Sequence, residues 1–183
     1  MKHGPETGKL PSVDKSASRV YLLDTSALLS FIEDEEGADC VEQALKQKET
    51  IVPWPVLLEM YYITLQEEGQ SEADRRFALV KQLKVNIPYD MDEATVLTAA
   101  RLKARHRVSL ADAIIAAFAI RKDAILMHKD PEFDALKGLL KTEALPYKSS
   151  VDNSRSPGNE WEKNGDSAPI FSALRKTLNC KTT

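Results

Sequence analysis

An α/β fold, with a central and mainly parallel sheet of four to five strands and helices on both faces, is what this 183-residue chain predicts. Three observations carry that expectation. Short β-type runs alternate with helical stretches between residues 19 and 146, and such alternation demands crossover connections that lay the strands parallel. Two acids, Asp24 and Asp130, follow two of those runs, and open parallel sheets bind ligands outside the carboxyl ends of their strands. The stretch Ser109–Arg121 is so rich in Ala and Ile that, as a helix, it suits burial between other elements.

Residues 1–18 are dense in small and polar residues, with Gly4, Pro5, Gly8 and Pro11, and read as a flexible lead-in. Val20–Leu23 forms a first strand, Ser26–Ile32 a helix and Glu33–Gly37 an acidic turn. Ala38–Lys48 sets Cys40, Val41, Ala44 and Leu45 on one helical face. Thr50–Val52 is a second strand, stopped by Pro53. Pro55 suits the first turn of a helix, where its missing N–H is no loss, and that helix runs to about Glu67 and stops at Gly69. Ser71–Leu83 repeats the helical pattern, Val85–Ile87 is a third strand closed by Pro88, and Asp92–Lys103 is helical again. After the helix Ser109–Arg121 come a fourth strand at Ala124–Met127, a short helix at Pro131–Leu140 and an edge strand at Thr142–Leu145. The folded domain therefore spans residues 19–146. Residues 147–183 read as a disordered tail carrying an isolated Trp161 and a stretch, Ile170–Leu178, able to form one or two amphipathic turns on binding.

Composition excludes several classes. No apolar run approaches the ~20 residues that span a bilayer, and the polar N-terminus lacks the core of a signal peptide, so no membrane association and a cytoplasmic location are expected. Cys40 and Cys180 stand alone and far apart, which argues against a disulfide or a zinc site. A net charge of −3 and a pI near 5.7 argue against a generic nucleic-acid coat. They leave room for a nuclease that meets phosphates through local metal ions. The basic run Arg101, Lys103, Arg105, His106 and Arg107 has two readings, a phosphate-contacting rim or cations complementing a helix C-terminus.

Four acids sit at strand ends or on an apolar helix face: Asp24, Glu59, Asp112 and Asp130. A carboxylate near an apolar core is costly unless paired, and two of them about 4 Å apart repel by roughly 4 kcal/mol at an effective dielectric near 20. If the fold gathers these four, a divalent cation is the simplest cure, and hard oxygen donors suit Mg²⁺ or Mn²⁺. That chemistry points to a metal-dependent enzyme acting on phosphates. Each acid has a plainer role as well. Asp24 can cap the following helix, Asp112 follows Ser109 at the spacing of a capping box, and Asp130 precedes Pro131 as an N-cap precedes a first-turn proline. Glu59 has no cap reading. Val56, Met60 and Ile63 surround it on a helix, where an acid usually has a partner or a task unless that strip faces water.

Taken jointly, four blocks give the sequence a family likeness: Leu22–Leu29, Val56–Tyr62, Ser109–Ala116 and His128–Phe133. In order and spacing they resemble the PIN-domain ribonucleases, most closely the VapC-like toxins of type II toxin–antitoxin pairs, over roughly Val20–Leu136. The resemblance implies a PIN-like fold over residues 19–146, with a pocket collecting Asp24, Glu59, Asp112 and Asp130 as catalytic and metal-binding residues around Mg²⁺ or Mn²⁺. Glu132 competes with Asp130 for the fourth role, His128 stands where the family often has Thr or Ser, and Thr25 or Ser26 matches a position that helps hold the site. The implied activity is an Mg²⁺-dependent endoribonuclease with an RNA substrate and a cognate antitoxin protein, leaving a homodimer open. Two alternatives stay within the family, a stand-alone RNA-processing nuclease and a non-catalytic PIN-like interaction module. A haloacid-type phosphatase would want a second Asp where Ser26 stands, and a phospho-acceptor domain would want paired acids where only Asp24 is present.

Overall fold

The structure is a computed structural model that describes residues 19–47 and 49–146; the lead-in at 1–18 and the tail at 147–183 lie outside the described residues. Four strands, β1 (Tyr21–Leu23), β2 (Thr50–Ile51), β3 (Ile125–His128) and β4 (Lys141–Ala144), form one sheet in the order β2-β1-β3-β4 with every pairing parallel. Six α-helices accompany them among the described residues: α1 (Thr25–Ile32), α2 (Ala38–Gln47), α3 (Trp54–Glu67), α4 (Gln70–Gln82), α5 (Glu93–Arg105) and α6 (Leu110–Arg121). Leu22 and Leu23 are both fully buried, as are Leu126 and Met127. Successive strand residues point to opposite faces, so the sheet is covered on both, as a parallel sheet requires.

From β1 the chain moves outward to β2, then returns across the sheet through α5 and α6 to lay β3 on the other side of β1. The strand order reverses between β1 and β3, and the crevice at their carboxyl ends is where a doubly wound sheet places its ligand. Helix α6 lies in the core: Ala113 and the whole of Ile115–Ala119 are buried, which is why its sequence shows no polar face.

Three sequence expectations are corrected. Val85–Ile87 is not a strand but a single bridge, in which Asn86 N–H donates to Thr50 O at 2.8 Å and Val52 N–H to Asn86 O at 2.9 Å. Pro88 has no amide N–H to donate to Val52 O, the next bond a parallel ladder would make, so the pairing stays a bridge even though Trp54 N–H still donates to Pro88 O at 3.2 Å. The helix expected to reach Leu140 is a 3-10 segment, Pro131–Leu136, after which Gly138 (φ 85°) turns the chain into β4. The edge strand lies at Lys141–Ala144, one residue earlier than expected.

Candidate active site

Asp24, Glu59, Asp112 and Asp130 line one cleft of about 360 Å³. Asp24 leaves the carboxyl end of β1, Asp130 follows β3, Asp112 stands in the first turn of α6 and Glu59 points in from α3. Thr25, Ser26, Ser109 and Glu132 share the lining, with Leu29 and Ile63 as its apolar wall. His128 is not part of the cleft surface. It is buried beneath it, its ring tilted against Phe133 at 5.0 Å and its Nδ1 2.8 Å from Asp130 O.

The capping roles and the shared cleft coexist. Asp24 Oδ2 accepts from Ser26 N–H at 3.2 Å as the N-cap of α1, and also from Ser26 Oγ at 2.7 Å. Ser26 Oγ in turn accepts from Lys129 N–H at 2.9 Å, so one hydroxyl ties the acid of β1 to the chain leaving β3. Ser109 and Asp112 form a reciprocal capping box, Asp112 N–H donating to Ser109 Oγ at 3.0 Å and Ser109 N–H to Asp112 Oδ2 at 3.3 Å. Asp130 Oδ1 accepts from Glu132 N–H at 2.8 Å. Thr25 Oγ1 donates to Glu59 Oε2 at 2.7 Å, drawing α3 toward the start of α1.

Asp24 is 4 % exposed and Asp112 8 % exposed, whereas Glu59 and Asp130 are half-buried and Glu132 is exposed. Burial pushes the Asp24 carboxyl above its usual range, against the opposing pull of the Ser26 hydrogen bonds, and the Asp112 charge adds to the rise. Glu59 is raised too, first by burial and then by the charges of Asp24, Asp112 and Asp130, with the Thr25 hydroxyl opposing. Among the described residues no Lys, Arg or His forms an ion pair with any of the four. Nor is any group of three or more His, Cys, Asp or Glu there gathered closely enough to hold a metal ion as it stands. Unneutralised carboxylates repel one another, and here each is held by its own hydrogen bond. The donor chemistry nevertheless fits a hard divalent cation: all oxygen, anionic, and free of thiolate.

Ser109 was legible in the sequence only as a cap, through its place three residues before Asp112; its position in the cleft lining comes from the fold. Leu29 and Ile63 gave no functional signal, being apolar residues on apolar helices. In the basic run, Lys103 Nζ donates to Val108 O at 2.6 Å and so pins the loop leading to Ser109. Arg101, Arg105 and Arg107 are exposed and, among the described residues, form no ion pair.

An all-parallel sheet with an acid-lined cleft at its switch point defines a doubly wound α/β domain. The family follows from the sequence itself: the PIN domain matches residues 21–139, well over half of the chain, and the protein belongs to that family. No curated protein matches the chain. Among solved structures, VapBC2 from Rickettsia felis, bound to a DNA fragment from the promoter, superposes with a TM-score of 0.59 at 16% identity, covering 69% of this chain and 99% of that one. VapBC-1 from nontypeable Haemophilus influenzae gives 0.56 at 20% identity, with 68% and 97% covered. The Mycobacterium tuberculosis toxin VapC20, described as cleaving the Sarcin-Ricin loop, gives 0.53 at 18% identity, with 64% and 95% covered. At these identities the likeness establishes the fold. No helix among the described residues is long and apolar enough to cross a membrane.

Proposed function

We propose that the chain is a metal-dependent endoribonuclease, the toxin component of a type II toxin–antitoxin pair, hydrolysing RNA phosphodiester bonds in the acid cleft with Mg²⁺ or Mn²⁺ as cofactor. The observation that carries this reading is the convergence of Asp24, Glu59, Asp112 and Asp130 on one cleft at the carboxyl ends of β1 and β3. The VapBC neighbours, and the description of one neighbour as a Sarcin-Ricin loop cleaving toxin, support a toxin with a protein antitoxin.

Asp24 and Asp112, the most buried pair, are assigned direct contact with the ion. Glu59 and Asp130 would help hold an ion or position the attacking water, with Glu132 beside Asp130 in the same lining. When bound, a divalent ion lowers the pKa of a coordinated water and neutralises charge gathering on the scissile phosphate. Ser26 keeps Asp24 oriented by holding one of its oxygens, and Thr25 does the same for Glu59. Arg105 and Arg107, exposed beside the loop that enters α6, supply cations for the flanking phosphates of the strand.

A second reading, a stand-alone RNA-processing nuclease, rests on the same acid cleft, whose chemistry serves RNA hydrolysis with or without an antitoxin. Expression in a bacterial host separates the two. The toxin reading expects growth arrest that Asp24→Asn abolishes and that an adjoining small reading frame relieves on co-expression. Arrest undiminished by Asp24→Asn would count against a nuclease. Metal-dependent RNA cleavage without arrest would favour the stand-alone enzyme.

A further inference from the structure

The molecule carries a second concavity that shares no lining residue with the acid cleft. It is an apolar groove of about 660 Å³ between α3, α4 and the segment after Pro88, built from Trp54, Leu57, Leu58, Tyr61, Phe77 and Tyr89. Tyr61 and Phe77 stack edge to face at 5.9 Å and form its floor. Leu58 is 56% and Tyr89 55% exposed, an unusual placement for large side chains grouped around one hollow. Among the described residues, Asp74 is the one charged residue of the lining. It accepts from Tyr61 Oη and Gln70 Nε2, which hold its carboxyl below the usual range, and it forms no ion pair among the described residues. Lys81 also borders the groove, but it lies over the Tyr89 ring and donates to the Tyr89 hydroxyl at 3.1 Å.

We propose that this groove docks a segment of the same chain, Ile170–Leu178. Ile170, Phe171, Leu174 and Leu178 fall at i, i+1, i+4 and i+8, which on a helix places all four on one narrow stripe. Pro169 directly before the stripe suits the first turn of such a helix. Helices shorter than roughly 12–15 residues are marginal alone in water, so a stripe of this length needs an apolar surface to form. Arg175 borders the stripe, and residues 167–183 contain Arg175, Lys176 and Lys181 with no acid, a charge complementary to Asp74 at the rim. The tether is adequate. About 23 positions separate Pro146 from Ile170, and a flexible linker of that length has an r.m.s. span of roughly 24–29 Å. Crossing the sheet from β4 to the Asn86 bridge takes four strand spacings, about 19 Å. A tether of this kind gives an effective concentration on the order of mM, so even a small apolar contact is populated, an advantage that an untethered partner or a second copy lacks.

The test uses the full chain with its natural Cys180 carrying a nitroxide label in a Cys40→Ser background. Docking broadens the Trp54 indole and Leu58 methyl NMR signals several-fold relative to the reduced label, at a protein concentration low enough to exclude association. Phe171→Asp with Leu174→Asp removes the broadening. So does Leu58→Asp, read on the Trp54 indole, at a position exposed enough to leave the fold unaffected. Signals that stay sharp with the label in place would overturn the proposal. So would broadening that arises equally in a mixture of labelled chains and separate isotope-enriched chains, which would assign the groove to a second copy. RNA cleavage plays no part in these readouts, so they stand or fall independently of the nuclease reading.

Discussion

The Ser26 hydroxyl is the smallest feature on which the site depends. It donates to Asp24 Oδ2 and accepts from the Lys129 amide, so the acid at the end of β1 is fixed relative to the chain leaving β3. Partners of this kind, one step behind a ligand, typically contribute about 10–100-fold in metal affinity or activity. Ser26→Ala should therefore weaken Mn²⁺ binding and RNA cleavage by about that factor while leaving the fold intact, and Ser26→Thr should recover most of it. Calorimetric titration of Mn²⁺ into the two variants checks this, and unchanged affinity in the alanine variant would remove Ser26 from the site. At this scale the sequence was legible in an ambiguous way. Asp24, Asp112 and Asp130 each satisfy a helix-capping rule, Asp24 and Asp130 as N-caps and Asp112 as the partner of the Ser109 cap, so local spacing alone could not separate structure from function. Only Glu59, an acid on an apolar helix with no cap to serve, signalled a task by itself, and its partner Thr25 lies 34 residues away, beyond the reach of any local pattern.

Among the elements, α4 depends most on one side chain. Arg76 is buried and reaches Glu33 in the turn after α1 and Glu72 on its own helix, with Glu68 at 3.9 Å. Its carboxylate partners are partly exposed, so its loss strands no fully buried charge. Removing a charge-assisted hydrogen bond of this kind costs about 1.5–3 kcal/mol. Arg76→Ala should lower stability by an amount in that range, measured by urea unfolding, and should loosen α4 without disturbing the acid cleft. Arg76→Met, which keeps the apolar stem, should recover part of the loss. The helices were readable because periodicity, capping residues and Gly69 all agreed on them. Val85–Ile87 was not, because β-type composition cannot show that the missing amide of Pro88 interrupts the ladder after a single bridge.

For the whole molecule, the cluster of acids sets how stability depends on pH. A carboxyl whose folded-state pKa lies above its unfolded value stabilises the fold below the unfolded pKa and loses that contribution as pH rises through the folded one. Asp24 and Glu59 are raised from 3.8 and 4.5, chiefly by burial, so both work against the metal-free fold near neutral pH. Glu72 acts oppositely: Arg75 holds it down to about 2, and its contribution, present above 4.5, is lost as pH falls toward that value. In chelator, the melting temperature should therefore rise as pH is lowered from about 8 to about 5 and fall again below about 4. Asp24→Asn should be more stable than the parent at neutral pH and show a flatter upper limb. A parent melting curve that falls steadily from pH 8 to 5 would contradict the picture of a self-repelling cluster. The doubly wound architecture was legible from the alternation of strands and helices. The cleft was legible in part: Asp24 and Asp130 at strand ends pointed to it and the family likeness implied it, but the delivery of Glu59 and Asp112 to the same place by α3 and α6 is a property of topology that no single stretch of sequence displays.

RNA cleavage with and without available metal decides whether the acid cleft is a metal-dependent nuclease site. With Mg²⁺ or Mn²⁺ the purified protein should cut a structured RNA, stop on addition of EDTA, and resume when the ion is restored in excess. Asp112→Asn, folded by circular dichroism, should lose at least ~10²-fold of that rate, as expected when a charge-stabilising group is removed from a reaction centre. Cleavage that continues undiminished in EDTA, or a folded Asp112→Asn protein that cuts at the parent rate, would contradict the assignment of this cleft as a metal-dependent nuclease site.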